Sequence, residues 1–168
     1  MKLTEHFTAE EIGWAQIPAD LRPNALATLA LLETFRRVVG SRVQVTSLWR
    51  SGDRNAAVGG VPASQHLDAT AADVQTLDVP YDEAWRRARE SVELRQAIGQ
   101  LIGYARETHF HIALPVRGKR GEVLWQSGGE YAVVSPSLGA PDLLRFIPAD
   151  RRALVAALAV AGIVILGD

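Results

Sequence analysis

Along the chain the apolar positions change their period several times, and each change marks an element. Leu31, Leu32, Phe35, Val38 and Val39 recur at helical spacing, Pro23 suits a first turn and Gly40 follows as a stop. A long helix over residues 23–39 is predicted, its stripe facing a core. Residues 43–49, rich in β-branched side chains, read as a strand. Asp73 and Val74 resume a strand, and Pro80 with Asp82 and Glu83 opens a helix through about Ile98, its first turn acidic as the helix dipole favours. Residues 100–104 and 108–114 are predicted strands, with 123–125 and 131–134 after them. The charged, Gly-containing segment 115–122 reads as the hairpin loop joining the 108–114 strand to the next.

Shorter signals complete the outline. Thr8 with Glu11 has the form of a capping box, predicting a short helix that starts at Thr8 and is ended by Pro18. Residues 53–58 should make a helical turn and 59–62 a loop. A helix from Ala149 through about Ala161 is predicted to close the domain. The apolar run 153–167 holds 15 residues, short of the roughly 20 that a membrane helix needs, and Gly162 before Ile163-Val164-Ile165 suggests a buried helix leading into a terminal strand. No linker or repeat divides the chain, so one α+β domain over 1–168 is expected, with a small, mainly antiparallel sheet flanked by helices.

Composition narrows the chemistry. A net charge of −1 offers no basic footprint for nucleic acid. With no cysteine, disulfides and thiolate-bound zinc are excluded. The N-terminus carries Lys2, Glu5 and His6 where a signal peptide needs an apolar core, so synthesis in the cytoplasm is the expectation. Three of the four histidines, His66, His109 and His111, fall in two places, the first followed by Asp73. Two histidines and one carboxylate, with water in the fourth position, form the ligand set of a catalytic zinc site. On a strand, His109 and His111 share a face. Spacing alone leaves two readings open, a metal centre or satisfied core and surface histidines.

The run from Ser64 through His66, Ala69 and Ala71 to Asp73, followed by a His-bearing strand, resembles the Ser-x-His-x-x-Gly-x-Ala-x-Asp motif of the zinc D-Ala-D-Ala carboxypeptidase and L-alanyl-D-glutamate endopeptidase family. That family includes phage endolysins and the D,D-dipeptidases of vancomycin resistance. Val45-Thr46-Ser47-Leu48-Trp49-Arg50-Ser51 resembles its strand ending in Ser-Gly-Tyr-Arg-Ser, Asn55 to Gly60 its Asn-x-x-Val-Gly-Gly, and Leu3-Thr4-Glu5-His6-Phe7-Thr8 the opening of its phage-type members. The resemblance covers roughly residues 1–115.

The resemblance implies a Hedgehog/DD-peptidase-like fold and one zinc (Zn2+) held by His66, Asp73 and His111. It further implies hydrolysis of a bond in the peptidoglycan stem peptide, either D-Ala-D-Ala or L-Ala-D-Glu. Arg50 would hold a substrate carboxylate through its planar fork; the plainer alternative is an ion pair with Asp53. Ser64 would orient substrate or the ligand loop, unless it is simply a turn or cap serine. Two departures stand out. Ala69 occupies the motif's glycine, and Thr108 occupies the position three before the last ligand, where members commonly place an acidic general base. The other phage-type pattern sets a glutamate after Gln-Leu-Ile, where this chain has Gly103-Tyr104. Glu107 is therefore the first candidate base, reaching the face of His109 and His111 if the strand is regular, and His109 the second. The family's habit suggests release to the cell wall after synthesis, or a place in the virion. The rival is a non-catalytic zinc or peptidoglycan-binding structural domain of a phage particle.

Overall fold

The computed structural model describes residues 1–116, 118–127 and 129–135. The helix and terminal strand expected in the last third lie outside the described residues. Helix α1 (Arg22–Val39) carries Pro23 in its first turn and ends at Gly40, which adopts φ 66. Its stripe is buried as the spacing requires, with Leu29, Leu32 and Phe35 all at 0% exposure. After it come β1 (Val43–Ser47), α2 (Gly52–Ala57), a 3-10 turn (Gln65–Asp68), β2 (Ala71–Thr76), α3 (Tyr81–Glu90) and α4 (Val92–Ala97). Strands β3 (Gln100–Tyr104), β4 (His109–Ala113), β5 (Glu122–Ser127) and β6 (Glu130–Ser135) follow.

The six strands form one sheet in the order β1-β2-β4-β3-β5-β6. Only β3 and β5 run parallel; every other neighbouring pair is antiparallel. The architecture is α+β, as predicted. Side-chain alternation divides β4 between two environments. Phe110 and Ile112 are fully buried, and Phe110 meets Phe35 of α1 at 5.3 Å and Tyr81 of α3 at 4.7 Å between ring centroids. His109 and His111 therefore point away from the helices. On the helical side, Trp85 packs against Trp125 at 4.9 Å directly over Gly103, where a Cβ would lie 2.8 Å from Trp85 and 3.0 Å from Trp125. Glycine is thus required in β3 by the two indoles above it.

Three predicted elements come out differently. No α-helix starts at Thr8: its hydroxyl accepts from Glu11 N at 3.4 Å, but the chain only turns until a 3-10 turn at Trp14–Gln16, because Gly13 at φ 65 breaks the helical path. The helix expected from Pro80 to Ile98 is two helices, since Ser91 leaves the helical region (ψ 113) and caps α4 by accepting from Leu94 N. Segment 115–122 is not a hairpin loop. The strand that follows, β5, lies on the far side of β3 from β4, where Glu122 N reaches Gly99 O at 3.1 Å and parallel pairing begins. The opening residues are instead tied to α1, with Thr4 Oγ1, His6 N and His6 Nδ1 all meeting the Glu33 carboxylate at 2.6 to 2.8 Å. Among the described residues no helix is long and apolar enough to cross a membrane.

Candidate metal centre

His66 sits in the 3-10 turn, and that turn is fixed at both ends. Ser64 caps its start by accepting from His66 N at 3.4 Å, and Ala69 ends it in the left-handed region at φ 56. The glycine position of the motif thus does require positive φ. Alanine holds it here at a cost of about 1–2 kcal/mol. From α1, Thr28 Oγ1 donates to Ala69 O at 2.8 Å and Asn24 Nδ2 to Asp68 O at 2.9 Å, so tertiary bonds secure the strained turn. The imidazole, 2% exposed, places Nδ1 2.7 Å from Leu48 O. A carbonyl only accepts, so Nδ1 carries a proton and Nε2 is the ring atom left to ligate.

Asp73 and His111 come from the sheet. They face each other across the β2–β4 pair, on the side away from the helices. His66 Nε2 lies 3.2 Å from Asp73 Oδ1 and 3.2 Å from His111 Nδ1, and His111 Nδ1 lies 3.0 Å from the same oxygen. Asp73 and His111 are 13% and 12% exposed. Among the described residues these three side chains form the group whose donor atoms lie close enough to share one ion. A tetrahedral ion with bonds of about 2.0–2.1 Å separates its donors by about 3.3 Å, so the spacing fits zinc. With Nδ1 turned to the Leu48 carbonyl, Nε2 of His66 faces the space between the three donor atoms, where a cation would sit.

The electrostatics favour the ligand forms. Burial works against charge on Asp73, but the ring nitrogens of His111 and His66 outweigh it and hold the carboxyl far below its usual range. Burial pulls His111 down despite Asp73, and pulls His109 down against the opposing charges of Asp73 and Glu107. Both rings are thereby biased toward the neutral form.

The remaining predicted residues fall around this centre. Arg50 turns to Asp73 rather than Asp53: its Nη2 donates to Asp73 Oδ2, its Nε donates to Ser47 Oγ at 2.8 Å, and its backbone N donates to His66 O at 3.1 Å. Ser64, buried at 8%, touches the ligand turn through its hydroxyl. In the Asn-x-x-Val-Gly-Gly stretch, Asn55 Nδ2 donates to Val61 O at 2.9 Å, and a Cβ at Gly60 would lie 2.1 Å from Asn55 Oδ1. That motif folds the loop leading to His66.

Glu107 is not on the strand. Residues 105–108 form the β3–β4 turn, Thr108 adopts φ 49, and β4 starts at His109, so regular alternation does not carry Glu107 onto the histidine face. Glu107 is exposed, yet its charge acts on His109. Sequence reasoning missed Tyr104. It pairs with His109 across β3 and β4, and the two rings stack at 4.4 Å with 12° between planes. Burial, then the hydroxyl of Tyr131, raises the phenol's pKa, so Tyr104 stays protonated. Alternation from Gln100 and Ile102 was the signal available.

No curated relative matches the chain. A family model described as Peptidase M15 matches residues 3–113, a span that includes every residue of this centre. The chain belongs to the Peptidase M15 family, whose members are metal-dependent peptidases.

Proposed function

We propose that this protein is a zinc peptidase that hydrolyses a bond in the peptidoglycan stem peptide, D-Ala-D-Ala or L-Ala-D-Glu, acting at the cell wall. The observation that carries the reading is the triangle of His66 Nε2, His111 Nδ1 and Asp73 Oδ1, 3.0 to 3.2 Å on a side, within the family-matched segment. These atoms would hold the zinc, which supplies Lewis acidity that acidifies water and polarises a carbonyl. The chain's own residues do the rest. His109, on the face of His111 and biased toward the neutral form, accepts the proton released on attack. Glu107 favours the resulting imidazolium through its charge. Among the described residues Arg50 commits Nε to Ser47 and Nη2 to Asp73, which leaves the Nη1 end of its fork for a substrate carboxylate.

The test is to incubate the zinc-loaded protein, and its His109→Gln and Glu107→Gln variants, with peptidoglycan and identify the released termini by mass spectrometry. One bond cut by the wild type, with turnover about 100 to 10,000-fold lower in His109→Gln and less affected in Glu107→Gln, supports the scheme. Stoichiometric zinc without cleavage would instead favour a non-catalytic binding domain of a phage particle, a reading that Thr108 and Ala69 motivate.

A further inference from the structure

We infer that Arg50 is a positioning residue for the metal centre, holding Asp73 so that one oxygen alone, Oδ1, faces His66 and His111. The inference rests on the metal-centre reading above. Asp73 is divided between two sets of partners: Oδ1 meets the two ring nitrogens at 3.2 and 3.0 Å, while Oδ2 accepts from Arg50 Nη2. Both side chains are largely buried, at 13% and 15% exposure, so solvent does little to replace that bond. Arg50 is itself held at two further points, by Ser47 Oγ at the end of β1 and by His66 O in the ligand turn. The guanidinium thus ties the ligand on the sheet to the β1 end, while the backbone N–H of the same residue holds the ligand turn.

The geometry also limits how Asp73 can bind. The last torsion of an aspartate is broad, so an unrestrained Asp73 can turn both oxygens toward an ion and occupy the position that a substrate needs. With Oδ2 engaged, only one oxygen is offered. The guanidinium charge opposes a cation nearby, so ordering and repulsion act in opposite directions. The role requires that ordering wins, as it does for other partners of metal-binding carboxylates, whose loss typically weakens affinity by about 10 to 100-fold.

Zinc affinity of the full chain would be measured by competition with a chromophoric chelator, alongside the visible spectrum of the Co2+-loaded protein. Arg50→Gln should bind zinc about 10 to 100-fold more weakly, and its Co2+ bands should lose intensity as Asp73 gains a second contact. Arg50→Lys should lose affinity in part, because one ammonium cannot serve Ser47 and Asp73 together. Ser47→Ala should shift affinity the same way by a smaller factor. Equal or tighter binding in Arg50→Gln with an unchanged spectrum overturns the inference, as does unchanged zinc affinity with only KM raised, which would make Arg50 solely a substrate contact. If Arg50→Gln does not fold, unchanged affinity in both Arg50→Lys and Ser47→Ala overturns it. A wild type that binds no zinc overturns the metal-centre reading itself, a result distinct from all of these.

Discussion

Zinc should stabilise the fold by an amount set by its occupancy, because only the folded chain assembles the site. His66 and His111 are 45 residues apart in sequence, yet their nitrogens lie 3.2 Å apart beside one carboxylate oxygen. The unfolded chain offers no such triangle, so binding is confined to the native state. With free zinc at about 100 times its dissociation constant, the gain is about 2.7 kcal/mol. A domain of 150–250 residues shifts its midpoint by about 2–4 °C per kcal/mol, so zinc should raise Tm by about 5–11 °C over the chelator-treated protein. Thermal melts followed by circular dichroism, across a zinc titration buffered by a weak chelator, would read this directly. Asp73→Asn and His111→Ala should abolish the shift while leaving a folded baseline. A wild-type shift below about 2 °C, or an equal shift in Asp73→Asn, would refute the assignment of these three residues as the site.

Three further outcomes are expected, each measured by urea denaturation. Gly103→Ala forces a methyl within 2.8 to 3.0 Å of two packed indoles, in a strand paired on both sides, and should cost about 1–3 kcal/mol; a loss under 0.5 would mean the rings move freely. Ala69→Gly relieves about 1–2 kcal/mol of left-handed strain but gives up a buried methyl worth about 0.8 and adds about 0.5–1 of chain entropy. Its stability should stay within about 1 kcal/mol of wild type, and a loss beyond about 2 would show that packing of the methyl dominates. Glu33→Gln should cost about 1–2 kcal/mol at neutral pH, since Thr4 and His6 lose a charged acceptor. Burial raises the Glu33 pKa, but the bonds from Thr4 and His6 hold it below the usual value, so its contribution is present above the carboxylate range and lost as pH falls through it. The gap between wild type and Glu33→Gln should therefore close in acid; a gap unchanged with pH would show that the charge contributes nothing.

Much of the molecule was legible in local signals. The stripe and caps of α1, the β-branched run of β1, the alternation of β4, and the ligand motif from Ser64 to Asp73 rest on near neighbours in the chain, where rotamer, φ and side-chain direction are decided. Ala69 shows the strength of such a signal, since the position read as a glycine site does hold positive φ. Other features depended on partners distant in sequence. Nothing in segment 115–122 reveals that β5 will join β3 in parallel, because strand pairing is selected by the whole sheet rather than by the connecting residues. The choice of Asp73 over Asp53 by Arg50 follows from where β1 and β2 bring their ends together. Glu107 left the strand because the β3–β4 turn puts Thr108 at positive φ, and Tyr104 entered the site because register sets it beside His109. The sequence by itself marked which side chains could carry metal chemistry, through their residue types and the motif in which they stand. Only the tertiary structure decided which groups orient them, since hydrogen bonds and ring contacts are made across strands whose register is set by packing.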